Sequence, residues 1–146
     1  MDLLIVDASS TVRRTIRNTL TRAGITDIVE AEAGQQALAF LDRETIPVLI
    51  VGAALDDMAG TELAARVRKL AAYRRTPLLM VSEKRSPEDV LTAVDAGVDD
   101  YILFPFPDEL LVEKVQKALE KAAQLAAALA ANRRGQIRRH YKTPRG

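Results

Sequence analysis

Few residues of this 146-residue chain could do chemistry, and most of those are acids. Cys is absent and His140 is the single His, which excludes disulfide frameworks, Cys-based zinc sites and thiol nucleophiles and leaves no His cluster for a metal or a catalytic dyad. What remains is Asp7 directly after the apolar run Leu3-Leu4-Ile5-Val6, the pair Asp56-Asp57 a few residues past Val51, Ser82 directly after Leu78-Leu79-Met80-Val81, and the pair Asp99-Asp100 directly before Tyr101. Grouped carboxylates suit a hard divalent cation, which takes several oxygen ligands. Asp7 with Asp56 and Asp57 would make a weak site of that kind; the plainer reading of Asp56-Asp57 is a solvated acidic turn. No nucleophile stands beside a base, and the seven Gly are too scattered for a phosphate-cradling loop. No catalytic residue, resident cofactor or metal is therefore assigned.

The segments that must position these residues come in two alternating kinds. Leu3–Val6, Ile28-Val29, Val48–Val51, Leu78–Val81 and Tyr101–Phe104 are short continuous apolar runs of strand length. Between them, Val12, Ile16 and Leu20 repeat every four residues up to Gly24, Ala37, Leu38 and Leu41 share a helical face, and Leu63, Val67 and Leu70 do so again. Ser86-Pro87-Glu88-Asp89 combines a capping Ser, a Pro suited to the first helical position and acids in the first turn, which predicts a helix running to Gly97. A fifth helix is expected from Asp108. Strands without polar alternation are buried on both faces, and their regular alternation with helices predicts a doubly wound α/β fold with a five-stranded parallel sheet. Such sheets bind ligands outside the carboxyl ends of their strands, here Asp7-Ala8, Gly52-Ala53, Ser82 and Phe104-Pro105. Asp99-Asp100 falls at the opposite end and reads as loop charge.

Leu4-Ile-Val-Asp-Ala-Ser-Ser-Thr-Val-Arg-Arg14, Met58-Ala-Gly-Thr-Glu-Leu63, Pro77-Leu-Leu-Met-Val-Ser82, Ala96-Gly-Val-Asp-Asp-Tyr-Ile102 and Phe104-Pro-Phe106 occur in an order and spacing that resembles the CheY-like receiver domain of two-component response regulators, over about residues 1–120. The resemblance implies a flavodoxin/CheY-like fold and a site of five groups: two adjacent acids for Mg²⁺ after the first strand, an Asp nucleophile that accepts phosphoryl after the third, a Ser/Thr after the fourth and a Lys after the fifth. Asp7 and Ser82 match. Ala8 stands in place of the second acid, Gly52 in place of the nucleophile and Phe104 in place of the Lys. A chain with no carboxylate at Gly52 has no group to form an acyl phosphate, and an apolar ring at Phe104 cannot neutralise phosphoryl oxygens. The expectation is an atypical pseudo-receiver without the signature activity, and not an enzyme. Tyr101 matches the family's aromatic switch position and is expected to serve as a partner-contact residue or as a ring packed on the surface.

Beyond residue 120 the helical pattern continues. Val112, Val115, Leu119, Ala122, Ala126 and Leu129 are spaced 3, 4, 3, 4 and 3, the stripe of a coiled-coil seam. A helix from Asp108 to Ala131 would be about 36 Å long and project beyond the domain. Ala122, Leu125, Ala126 and Leu129 are the expected homodimer seam; a plain helical spacer is the alternative, given the helix propensity of Ala. The chain thus divides into a receiver-like domain (1–120), a helical extension (121–131) and a basic tail (132–146).

All 20 acids precede residue 121, while residues 132–146 hold six basic residues and no acid. Residues 1–131 carry 15 basic and 20 acidic residues, so the near-neutral total hides an acidic body with a basic tail. Arg133, Arg134, Arg138, Arg139 and Tyr141 supply forked donors and a stacking ring for an anion. That composition is similar to arginine-rich segments by which some bacterial CheY-like proteins bind cyclic di-GMP; a solubilising extension is the plainer reading. The apolar runs are too short to cross a bilayer, and Met1-Asp2 opens directly into a strand-like run, so a cytoplasmic location is expected. The leading expectation is a phosphorylation-independent signalling or adaptor protein that works through protein contacts as a dimer. The rival is an effector whose tail captures cyclic di-GMP, nucleic acid or another polyanion.

Overall fold

A computed structural model describes residues 2–141, with side chains as far as residue 135. Among them five strands alternate with five α-helices: β1 (Leu3–Val6), α1 (Ser10–Arg22), β2 (Ile28–Ala31), α2 (Gly34–Arg43), β3 (Leu49–Gly52), α3 (Gly60–Lys69), β4 (Leu78–Ser82), α4 (Pro87–Asp95), β5 (Asp100–Leu103) and α5 (Asp108–Tyr141). A single 3₁₀ turn, Ala71–Tyr73, lies between α3 and β4. All strand pairs are parallel, in the order β2-β1-β3-β4-β5. This is the doubly wound flavodoxin/CheY-like fold that the alternation predicts.

The period of two in a strand sorts the apolar runs onto two faces. Leu4, Val6, Leu49, Val51, Leu78 and Met80 point to the side covered by α2, α3 and α4, where they meet Ala37, Leu41, Leu63, Val67 and Ala93. Leu3, Ile5, Ile50, Leu79, Val81 and Ile102 point the other way, onto Ile16 and Leu20 of α1 and Leu111, Val115 and Ala118 of α5. The reversal of strand order falls between β1 and β3, so the chemistry-bearing ends of those two strands lie side by side.

Helix starts follow local chemistry. The Ser9 hydroxyl accepts from the Val12 N–H at 3.2 Å, and the Ser86 hydroxyl accepts from the Asp89 N–H at 3.1 Å with Pro87 in the first turn. After α1 and α4 the chain turns at Gly24 and Gly97, with φ of +89° and +102° that a Cβ would strain.

Two features depart from the sequence reading. Asp99 and Asp100 are more than loop charge. The Arg68 guanidinium, 17% exposed, donates to the carbonyls of Gly97, Tyr73, Arg74 and Thr76 and to Asp99 Oδ2 at 2.9 Å, while that same oxygen accepts the Leu78 N–H. Arg68 and Asp99 thereby clamp the entry to β4 and the α4–β5 turn. Asp100 opens β5 and pairs with Lys114 of α5 at 2.8 Å. The second departure is the length of α5, which continues past Ala131 through Asn132–Tyr141, so the first part of the expected tail is helical.

Candidate functional site: a receiver pocket without its acceptor

The carboxyl ends of β1, β3, β4 and the residue after β5 converge on a cleft of about 270 Å³ lined by Asp7, Ala53, Ser82, Lys84 and Phe104, among others. Asp7 is 9% exposed. Its Oδ1 accepts the Ser9 N–H at 2.8 Å, and its backbone carbonyl accepts from Arg13 Nη1 at 2.6 Å. Burial pushes its carboxyl up from the ordinary value, against the opposing pull of the Ser9 N–H and the Arg13 charge.

Gly52 ends β3 beside Asp7. A Cβ built on Gly52 would collide with Asp7 Oδ2 and come within 2.8 Å of Asp7 Cγ. The Asp7 carboxylate therefore leans into the volume that a side chain at residue 52 would need. From the other side the Gly52 carbonyl is pressed by Gly60, where a Cβ would meet it, and the loop is closed by the Gly60 N–H on the Ala53 carbonyl at 2.8 Å.

Ser82 is buried, and its hydroxyl accepts the Lys84 N–H at 3.0 Å. Phe104 is half-buried and stacks edge-on against Phe106, centroids 5.6 Å apart and planes at 77°. The Phe104–Pro105 peptide is cis. Ala8 is half-buried and brings no oxygen beyond its backbone.

The weak cation site weighed from the sequence does not form. Asp57 turns away from the cleft and caps α2, its Oδ1 accepting the Gly34 N–H at 2.8 Å and its Oδ2 the Gln35 N–H at 2.9 Å. Those two bonds hold its carboxyl below the ordinary value. Asp56 is exposed. Asp7 is left as the one carboxylate lining the cleft besides Glu83, and among the described residues no three of His, Cys, Asp or Glu come together as a metal cluster. With Ala8 and Gly52 at two of the family's acid positions, the residues present do not fit the Mg²⁺ that the resemblance implies.

Tyr101, on β5, is half-buried, and its hydroxyl donates to the Lys84 carbonyl at 2.9 Å, tying the strand to the β4–α4 loop. Next to it α4 exposes Val94 by 55% and Leu91 by 61%.

On α5 the expected seam divides. Ala122 packs against the domain's own core, as Val112 and Leu119 do, and Leu125 is half-buried beside Arg74 and Gln124. Ala126 is exposed and Leu129 is 51% exposed. The buried positions of α5 are Leu111, Val115 and Ala118, so the buried face includes Val115 of the inferred stripe and adds Leu111 and Ala118 to it. Arg133 and Arg134 are exposed on the helix. The side chains of Arg138, Arg139 and Tyr141 lie outside the described residues. Among the described residues no helix is long and apolar enough to cross a membrane.

Residues 3–116 match the family model of the response regulator receiver domain. The chain is 42% identical over 129 residues to a chemotaxis protein CheY homolog of Campylobacter jejuni, covering 88% of this chain and 99% of that protein. It is 40% identical over 120 residues to chemotaxis protein CheY1 of Helicobacter pylori, covering 82% and 97%. Among solved structures it resembles a response regulator from Chloroflexus aurantiacus, with a TM-score of 0.77, 29% identity and coverage of 82% and 97%. Vibrio cholerae CheY4 gives a TM-score of 0.74 at 30% identity, with coverage of 80% and 97%. The fold, the strand-end cleft and these likenesses agree: the chain belongs to the receiver-domain family of response regulators.

Proposed function

We propose that this chain is a phosphorylation-independent pseudo-receiver, a non-enzymatic signalling module that acts through protein contacts. The observation that carries the reading is the pairing of Gly52 with Asp7: the acceptor position has no side chain, and a neighbouring carboxylate fills the space. Ala8 and Phe104 add to it, since one removes a metal oxygen and the other puts a ring where a cation would neutralise phosphoryl charge. Tyr101 bears on the contact surface instead: its hydroxyl donates to the Lys84 carbonyl and ties β5 to the β4–α4 loop. Val94, which lines a concavity with Tyr101, and Leu91 one turn earlier on α4 are both exposed and offer apolar area to a protein partner.

Stepwise restoration tests the reading. Gly52→Asp alone should accept no phosphoryl from a small phosphodonor with Mg²⁺, and Gly52→Asp with Ala8→Asp and Phe104→Lys should accept it. Phosphorylation of Gly52→Asp alone would show that the rest of the pocket is still competent and would overturn the account of Ala8 and Phe104.

Self-association narrows to Ala126 and Leu129, because Ala122 and Leu125 face their own domain. The rival of a cyclic di-GMP-binding tail draws on Arg133 and Arg134, which are exposed, and otherwise on residues outside the described side chains.

A further inference from the structure

At the opposite end of the sheet from the Asp7 cleft, a second concavity of about 590 Å³ opens between the chain leading from α3 into β4 and the part of α5 that leaves the sheet. Arg68 lies in it as a fixed charge, pinned by the carbonyls and by Asp99 as described above. Arg74 and Arg75 on one side and Lys121 on the other are exposed, and their side chains make no hydrogen bond or ion pair with any described residue. Asp99 is the one carboxylate of the lining, and Arg68 already neutralises it at 2.9 Å. Four cations against one paired acid reverse the sign of a body whose residues 1–131 are acidic overall. With Arg68 and Asp99 paired, three cations gathered in one concavity remain without an offsetting carboxylate in its lining and give a field that draws an anion in.

The surroundings narrow the ligand. From Ala122 to Ala131 the helix carries no Lys or Arg, so the cations do not continue as a track that a nucleic-acid strand would follow. They are confined to one cavity, of a volume usual for small-molecule sites. The lining also includes half-buried Leu125 and the Gln124 amide, an apolar wall and a paired donor and acceptor that a bare inorganic anion would not use.

We infer that this cleft binds a nucleoside polyphosphate, its phosphates on Arg74, Arg75 and Lys121 and its nucleoside against Leu125 and Gln124. The site belongs to the domain body and to the first turns of the extension, and it is independent of both the Asp7 cleft and the tail. Its length of helix beyond Leu119 forms one wall, which gives the extension a role besides self-association.

Titration calorimetry of the full chain with ATP, GTP and inorganic triphosphate, without Mg²⁺ and at about 150 mM salt, tests the inference. At least one nucleotide should bind more tightly than triphosphate. Arg74→Ala, Arg75→Ala and Lys121→Ala together should weaken that nucleotide by about tenfold or more, since each would contribute a charge-assisted bond to phosphate. Leu125→Ala should weaken the nucleotide and leave triphosphate unchanged. The three basic side chains bond to no described residue, so thermal melting of the triple variant should match the parent and separate lost binding from lost structure. No binding of either nucleotide, equal affinity for triphosphate, binding unaltered in the triple variant, or tighter binding of a single-stranded oligonucleotide would each overturn the inference.

Discussion

The Asp7 carboxylate occupies the space next to Gly52 that a side chain at residue 52 would require. The two positions are coupled across neighbouring strands, because β1 and β3 are paired in register up to Val6 and Val51. Gly52→Ala should therefore lower stability by about 1–3 kcal/mol through overpacking. The same substitution made on Asp7→Ala should cost clearly less, and chemical denaturation of the two singles and the double would give the coupling. Additive effects would mean that Asp7 swings aside without penalty.

Asp7 also predicts a pH dependence. Its folded-state carboxyl is raised above the ordinary value of 3.8, so folding favours the protonated form. The resulting stability is fully present below 3.8 and is lost as pH rises through the raised value. Asp7→Asn, which does not ionise, should gain in Tm relative to the parent as pH goes from acid to neutral. Melting curves across that range check it; a constant or shrinking difference would contradict it.

Asp57 has the opposite sign. The Gln35 and Gly34 N–H groups lower its carboxyl below 3.8, so its contribution is present above 3.8 and is lost as pH falls through the lowered value. Asp57→Ala should lower Tm at neutral pH and converge on the parent in acid, with Asp57→Asn intermediate because an amide oxygen still caps. Mg²⁺ should not raise the Tm of the parent, since Asp57 is committed to α2.

Much of the architecture is legible before any coordinates. Unbroken runs such as Leu78–Val81 declare buried strands, and Ser86-Pro87 with Gly97 marks both ends of α4. The strand-end positions of Asp7, Gly52, Ser82 and Phe104 follow from the same alternation. What escapes is chemistry that depends on partners distant in sequence. Asp57 caps a helix that begins 23 residues earlier, and Arg68 binds backbone carbonyls, which no motif encodes. The α5 stripe is legible in part: Val112, Val115, Leu119 and Ala122 do pack on the domain core, but the Ala-rich sequence supports several apolar faces, and it takes packing to add Leu111 and Ala118 to that face. The helix expected to end at Ala131 runs on through Asn132 and Gly135 to Tyr141.

Arg68→Ala should destabilise the fold by about 2–3 kcal/mol, since charge-assisted bonds to several carbonyls and to Asp99 are lost together. Denaturant titration measures it. Arg68→Lys should recover little, because one ammonium cannot span acceptors placed for a planar fork.

For self-association, light scattering of the parent and of Leu129→Glu is decisive. A dimer that becomes a monomer in the variant would assign the contact to the exposed end of the former seam. A parent that is monomeric at high concentration would leave α5 as a wall of the basic cleft and a spacer.

The most direct test of phosphorylation independence is intact-mass spectrometry of the unaltered chain after incubation with a small phosphodonor and Mg²⁺. A receiver with Gly52 at the acceptor position, Asp7 folded into its place and Phe104 facing the same cleft should show no gain in mass. A stoichiometric gain of one phosphoryl group, labile as an acyl phosphate is, would contradict the account and would point first to Asp7.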